Sequence, residues 1–389
     1  MTKKWSSRLT FFAFVVLMVG LGSNDSLRGI FSTIFQEHFS LTTTQLGLIV
    51  TASYIGNLVF LLVGGNLSTR FSKKRVLQVL ILIWMVALAL FAFTSNYTVL
   101  LIGMALALGS STLLNTTMNL ITPLLFATAP GFFVNFLFFT QEIGTSGSQY
   151  ILGSHADGFA FWQHTNPVLL ILGAVAFALL LFCNVPEEAA DPADTPAQKG
   201  GYDWRIIVPY VLVFGFYFIA EHGVMNWMVA YGVDGLGLPQ ASAAKYLSGF
   251  FGGMMIGRLC LSPLVDKLGA LKSLAAFGGV SCVLYLIGSL GGAVTMPVWA
   301  ISGLSFSILY PTLVMSIRLY FPAQQVSGAA GTILSIASLA DILFNVGFGK
   351  LVDMAGYAVS IRVLPLSVLA FFIVFMLFTK FCKPTQKLK

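Results

Sequence analysis

The sequence predicts an all-α membrane protein with twelve transmembrane helices. Of its 389 residues, 57% are hydrophobic and only 9% charged, with a mean hydropathy of +0.88, so a water-soluble globule is excluded. Apolar stretches recur from Leu9 to Phe381 with short polar breaks between them, and a spanning helix needs about 20 such residues. The stretches are continuously apolar, whereas a membrane β-barrel would alternate apolar and polar over about 10 residues. The positive charges also cluster in alternate breaks.

The expected spans are 9–35, 44–69, 76–94, 97–127, 130–154, 165–184, 205–232, 240–266, 270–292, 296–320, 325–353 and 357–381. The first follows Lys3, Lys4 and Arg8 and resembles a signal peptide. It runs on through Asn24 and Asp25 without an Ala-x-Ala-like site, so it reads as a retained helix. With the amino terminus inside, 16 of the 21 Lys and Arg residues fall in inner segments, three outside and two, Arg28 and Arg258, within helices. This asymmetry orients the chain with both termini cytoplasmic, and it accounts for the net charge of +7 without nucleic acid. The Pro- and Ala-rich interval after the sixth span divides the chain. The division gives an N-terminal six-helix bundle (1–184), a cytoplasmic linker (185–204) and a C-terminal six-helix bundle (205–389). Cys183, Cys260, Cys282 and Cys382 are scattered and suggest neither a disulfide framework nor a metal site.

The run from Gly65 to Leu77, with Arg70 and a basic turn at Lys73-Lys74-Arg75, has a counterpart 197 residues later from Ser262 to Leu274, with Asp266 and Gly269. Both resemble the G-x-L-x-D-R-x-G-x-[KR] signature of the major facilitator superfamily. That resemblance implies two pseudo-symmetric six-helix bundles that rock about a central cavity. In the first copy Thr69 stands where the superfamily has Asp and Ser72 where it has Gly, whereas Asp266 and Gly269 keep the pattern. Gly65, Arg70, Arg258, Asp266 and Gly269 are the expected gating set. The plainer reading is a pair of ordinary basic turns at the inner interface.

The second half is similar to a narrower family, the fucose permease-like sugar transporters. The similarity rests on Tyr217–Glu221, on Ala243–Gly249 and Gly257-Arg258, and on Tyr310-Pro311-Thr312. The first half matches more loosely at Gln45–Ile49, Asn115, Asn119, Asn135 and Gly144. Gly249, Gly253 and Gly257, at every fourth position, are explained by close helix packing, and Pro311 by a kink. The resemblance places Gln141 where the family has a sugar-contacting amide. It places Asn115 where the family has a Glu thought to transfer protons, so proton coupling does not carry over residue for residue.

Ionisable groups inside spans are costly, about 2.5–3.5 kcal/mol on insertion scales, and so point to function. Glu221 lies deep in an apolar span with only His222 beside it. A carboxyl there escapes the cost of a buried charge by taking up a proton, which makes it the first coupling candidate. Asp25, Glu142 and Asp341 are the others. Asp25 and Arg28, three apart, share a helix face and form either a structural ion pair or a binding site. The 197-residue shift sets Asn24 opposite Glu221 and Asp25 opposite His222. Candidate solute contacts are Asn24, Arg28, Asn115, Asn119, Gln141, Thr145, Asn226, Trp227 and Asn345. They come from polar stripes such as Gln141-Thr145-Ser148 and Ser335-Ser338-Asp341-Asn345.

These features lead to a secondary active transporter, most simply a proton-coupled symporter that takes up a small polar solute such as a sugar, with a proton rather than sodium as coupling ion. The partners expected are the solute, that ion and the lipid bilayer, with a functional monomer in a bacterial inner membrane. One alternative is an organic-anion transporter using Arg28 or Arg258. Another is an efflux antiporter, disfavoured because the fifth span lacks a G-P-x-x-G-G-like run. No cofactor, metal or catalytic residue is expected: His155, Asp157 and His164, placed in an outer loop, lack a third partner, and no phosphate-binding loop is present.

Overall fold

The computed structural model describes residues 3–126, 130–186 and 202–384, and every regular element among them is helical. Two compact units result, Met1–Ala190 and Asp191–Lys389. The linker at 187–201 lies outside the described residues, as do the side-chain positions of Gly65, Arg70, Asn135 and Asp266.

The first unit contains α1 (Lys3–Ile30), α2 (Ser32–His38), α3 (Thr43–Arg70), α4 (Lys73–Phe93), α5 (Tyr97–Leu125), α6 (Pro130–Ile151) and α7 (Phe159–Phe182). Helix α1 packs on α6, α7 and α5, while α3 lies along α5. Without a hydrophobic drive between helices in lipid, small residues let backbones approach. At Gly22 an added Cβ would sit 2.1 Å from the Gln141 carbonyl oxygen, and at Gly144 2.1 Å from that of Val19. These two glycines close the α1–α6 seam. The sixth span begins at Phe159, six residues earlier than the expected residue 165, so His164 is helical rather than in a loop. The added turn is anchored by packing of Phe159 and Trp162 on Phe35 and of Phe159 on His38.

The second unit contains α8 (Trp204–Ala230), which runs on as a π-helical turn over Tyr231–Gly235, and α9 (Gln240–Leu268) and α10 (Ala270–Leu290). There follow α11 (Met296–Phe306), α12 (Leu309–Ser316), α13 (Ala323–Ala355), α14 (Tyr357–Ser360) and α15 (Val363–Phe381). The tenth span is broken between α11 and α12 at Ser307 and Ile308. Pro311 explains the position, because its ring crowds the carbonyl four residues back, that of Ser307, and it offers no N–H to bond there. Gly253 and Gly257 of α9 lie against the Leu304 backbone, which supports the packing explanation of the glycine repeat.

The internal repeat extends to helix boundaries. A shift of 197 carries Thr43 to Gln240, Lys73 to Ala270 and Phe93 to Leu290, the ends of α3, α4, α9 and α10. It also carries Ser72 to Gly269, and the two copies solve the same turn differently. Ser72 has an ordinary φ of −58° and its hydroxyl accepts from the Arg75 N–H, capping α4, whereas Gly269 turns with φ +81°. The departure at Ser72 therefore replaces one turn chemistry with another. Among the described residues, 11 helices are long and apolar enough to cross a membrane. Helix α6 is not among them, because Gln141, Glu142, Thr145, Ser148 and Gln149 lower its hydropathy.

Candidate functional site

In the first unit the polar side chains gather where α1, α5 and α6 meet. The Ser111 hydroxyl of α5 donates to Asp25 Oδ2 at 3.0 Å, and the Asn24 amide approaches Oδ1 at 3.4 Å. No hydrogen bond or ion pair joins Arg28 to Asp25 among the described residues, so the close structural pair that their spacing suggested is not formed. Arg28 is 5% exposed, its Nε is buried without a hydrogen-bond partner, and its guanidinium carbon stands 5.6 Å from the ring centroid of Tyr54 on α3. Its charge reaches Asp25 through space. Tertiary partners on other helices, Tyr54 and Ser111, have drawn the two side chains apart.

One turn further from Arg28, toward Gly22, runs a chain of amides. The Asn119 Nδ2 donates to Asn115 Oδ1 at 2.6 Å, and the Asn115 Nδ2 donates to Gln141 Oε1 at 2.7 Å. Asn119 Oδ1 is buried with no partner, an acceptor left open at the end of the chain. Asn115, where the family resemblance expects an acid, is here the central link. Thr145 is used differently: its hydroxyl donates toward the carbonyls of Gly22 and Gln141, and it belongs to the α1–α6 seam. Glu142 is buried on the same helix.

In the second unit the titratable side chains lie along α8. His222 Nδ1 stands 2.7 Å from Asp341 Oδ2 of α13, with Asp341 almost wholly buried and the His222 ring stacked on Phe218. The neighbouring Glu221 faces elsewhere. Its charge and that of Arg258 from α9 both act on the hydroxyls of Tyr217 and Tyr310, which brings together groups the sequence left on separate helices. Arg258 thus belongs to the Glu221 neighbourhood as well as to the Gly-Arg motif. Asn226 is buried. The Trp227 indole N–H donates to Asn345 Oδ1 at 2.9 Å, and the Asn345 amide donates to the Asp341 carbonyl at 2.8 Å. With both residues fully buried, the Trp227 indole is committed to a helix–helix bond and not open to a solute.

A cavity of about 370 Å³ opens between α1, α6 and α7, lined by Leu152, Leu169, Leu172 and Val168 with Ser23 and His164. Its wall is apolar and offers little to a polar solute, and it is separate from the amide chain. Sequence reasoning missed Ser111 and Tyr54. Both are unremarkable types in apolar helices, and only their partners on α1 mark them out.

Two helical units that repeat one plan, with ionisable and amide side chains buried inside spanning helices, define a multi-pass membrane protein with a transporter fold. The sequence model of the Major Facilitator Superfamily matches residues 10–340, and the chain belongs to that superfamily of membrane transporters. It is 24% identical over 332 residues to the L-fucose-proton symporter of Escherichia coli, covering 74% of this chain and 75% of that one. It is also 24% identical over 301 residues to the cis,cis-muconate transport protein of Acinetobacter baylyi, covering 71% and 70%. The fold resembles the crystal structure of a D-xylose-proton symporter with a TM-score of 0.77, at 15% identity and 99% coverage of each chain.

Proposed function

We propose that the protein is a proton-coupled uptake transporter for a small polar solute of the sugar class, working as a monomer by alternating access and without enzymatic activity. It resides in a bacterial inner membrane with both termini in the cytoplasm, the side to which the Lys and Arg clusters assign them. The observation that carries the reading is the amide chain Asn119–Asn115–Gln141 beside Asp25. Amides arranged in series with an open acceptor suit the hydroxyls of a polyol, and a carboxyl on α1 held by neutral donors can take up a proton without breaking an ion pair. The symporter relatives for fucose and the structural likeness to a xylose symporter support the same reading. In this reading Asn24 and Asn226 are further solute contacts, and Glu221, beside Tyr217 and Arg258, is a second proton site.

The test is uptake into proteoliposomes under an imposed inward proton gradient. Wild type should accumulate solute above equilibrium. Asp25→Asn and Glu221→Gln should lose accumulation while keeping counterflow exchange. Uphill uptake that ignores the gradient, or that persists unchanged in both variants, would sink the coupling assignment. Asn115→Ala should raise KM about 10-fold, since it leaves Gln141 and Asn119 without their shared partner.

A further inference from the structure

We infer that the solute carries a carboxylate, that Arg28 binds it, and that each bound carboxylate brings one proton onto Asp25. The transporter is then one for hydroxylated acids, taken up electroneutrally. This rests on the proposed function and narrows its substrate.

The argument begins with Arg28. A guanidinium has five N–H donors in a planar fork that matches a carboxylate. Here it is 5% exposed inside a spanning helix, with Nε unbonded and a tyrosine face for company. A buried cation normally finds a hydrogen-bonded anion, because desolvation is otherwise uncompensated. The nearest anion on its own helix, Asp25, is held by Ser111 and Asn24 instead. A fork left open beside an occupied carboxylate is the arrangement expected of a site whose anion arrives from outside.

Geometry then adds the hydroxylated part. Arg28 lies on one side of Asp25 along α1 and Gly22 on the other, and Gly22 abuts the Gln141 backbone, where the amide chain begins. Six residues of helix separate Arg28 from Gly22, about 9 Å along the axis. That span suits a six-carbon acid with its carboxylate on Arg28 and its hydroxyls on Asn115 and Asn119.

Charge supplies the proton. Arg28 and Asp25 sum to zero, and an added carboxylate leaves one uncompensated negative charge in a low-dielectric core. One proton on Asp25 restores neutrality, so carboxylate binding and protonation favour each other reciprocally. The other titratable groups on α1 and the helices packed against it are few. They are Lys3, Lys4 and Arg8 near the start of α1, Glu37 and His38 on α2, Tyr54 of α3 against Arg28, Tyr97 on α5, Glu142 and Tyr150 on α6, and His164 on α7. Of these, Glu142 is the buried carboxyl that could compete for the role.

The experiment titrates the full-length protein in weakly buffered detergent with glucuronate, glucose and adipate, following both affinity and proton uptake with a pH dye. Glucuronate should bind at least about 10-fold more tightly than glucose or adipate, and should take up one proton per molecule bound. Arg28→Gln should lower glucuronate affinity about 10- to 100-fold and leave glucose unchanged, and Arg28→Lys should recover part of the loss. Asp25→Asn should bind glucuronate without proton uptake, whereas Glu142→Gln should still take up one proton per glucuronate bound. Glucose binding as tightly as glucuronate overturns the carboxylate, and adipate doing so overturns the hydroxylated part. Loss of proton uptake in Glu142→Gln rather than Asp25→Asn overturns the proton site. The wild-type ligand comparison decides the substrate class even if an Arg28 variant fails to fold. Gradient-driven uptake of glucose without glucuronate binding would leave the proposed function standing and remove this inference alone, whereas glucuronate binding without gradient-driven accumulation would do the reverse.

Discussion

The seam between α1 and α6 in the first unit and the seam between α8 and α13 in the second occupy matched places in the repeat, yet they are built from opposite materials. A shift of 197 carries Gly144 to Asp341 and Asp25 to His222. In the first unit Gly144 and Gly22 bring two backbones into contact, and Asp25 is turned away from that seam toward Ser111 on α5. In the second unit the seam itself carries the titratable pair, His222 against Asp341, flanked by the Trp227–Asn345 bond. One fold plan thus places its ionisable groups on different helix pairs in its two copies. The repeat fixes helix boundaries without fixing chemistry.

The largest expected effect tests the backbone seam. Gly144→Leu would drive a side chain into the Val19 carbonyl oxygen, which lies 2.1 Å from the Cβ position. The obstacle is backbone and cannot rotate away, so the cost should reach the top of the overpacking range, about 3 kcal/mol or more. Thermal unfolding in detergent should show a large fall or no folded protein. A variant with wild-type stability would mean that the α1–α6 contact is far looser than described.

The second test concerns the polar seam. His222→Leu should destabilise by leaving the Asp341 carboxylate buried without its partner, and Asp341→Leu should cost less, because the His222 side chain is 24% exposed. The double variant should recover part of the loss, with a coupling of about 1–3 kcal/mol in a double-mutant cycle. Additive effects would show that the 2.7 Å contact contributes little, and the contrast between the two seams would then lose its energetic meaning.

Much of this architecture is readable in the sequence, because membrane burial imposes long apolar runs and the two basic turns repeat at a fixed interval. The polar stripes are readable too, since helical spacing places Gln141 with Thr145, and Asp341 with Asn345, on one face. What spacing cannot give is the partner on another helix. Asn115 meets Gln141 across 26 residues and His222 meets Asp341 across 119, pairings that depend on helix rotation within a bundle. The same gap leaves the Asp25–Arg28 alternative undecided by spacing alone. Asp25 and Arg28 share a face, but an intrahelical pair contributes only about 0.2–0.5 kcal/mol, which Ser111 and Tyr54 outweigh. The sixth span also starts earlier than the expected residue 165, for a related reason. A proline in a helix is costly in isolation, but aromatic packing by Phe159 and Trp162 holds the preceding turn.

A smaller effect separates packing residues from solute contacts within the second unit. Trp227→Phe removes one N–H donor while keeping most of the apolar surface, so stability should fall by about 1 kcal/mol through the loss of the bond to Asn345. Solute KM in proteoliposomes should stay at the wild-type value. A KM change of several-fold with stability intact would instead make Trp227 a solute contact.

The smallest effect concerns the paired turns, where the two halves can be compared position for position. Ser72→Gly gives the first copy the residue type of the second and gives up one capping hydroxyl, a loss of a few tenths of a kcal/mol because glycine is itself tolerated at a helix N-cap. Gly269→Ala asks a residue with a Cβ to hold φ +81°, which should cost about 1 kcal/mol or more. The asymmetry follows from φ alone, since nothing lies within 4 Å of a Cβ built at Gly269. Equal costs at the two sites would show that the turns share one conformation in the membrane, and the substitution at Ser72 would then be a change of residue without a change of turn.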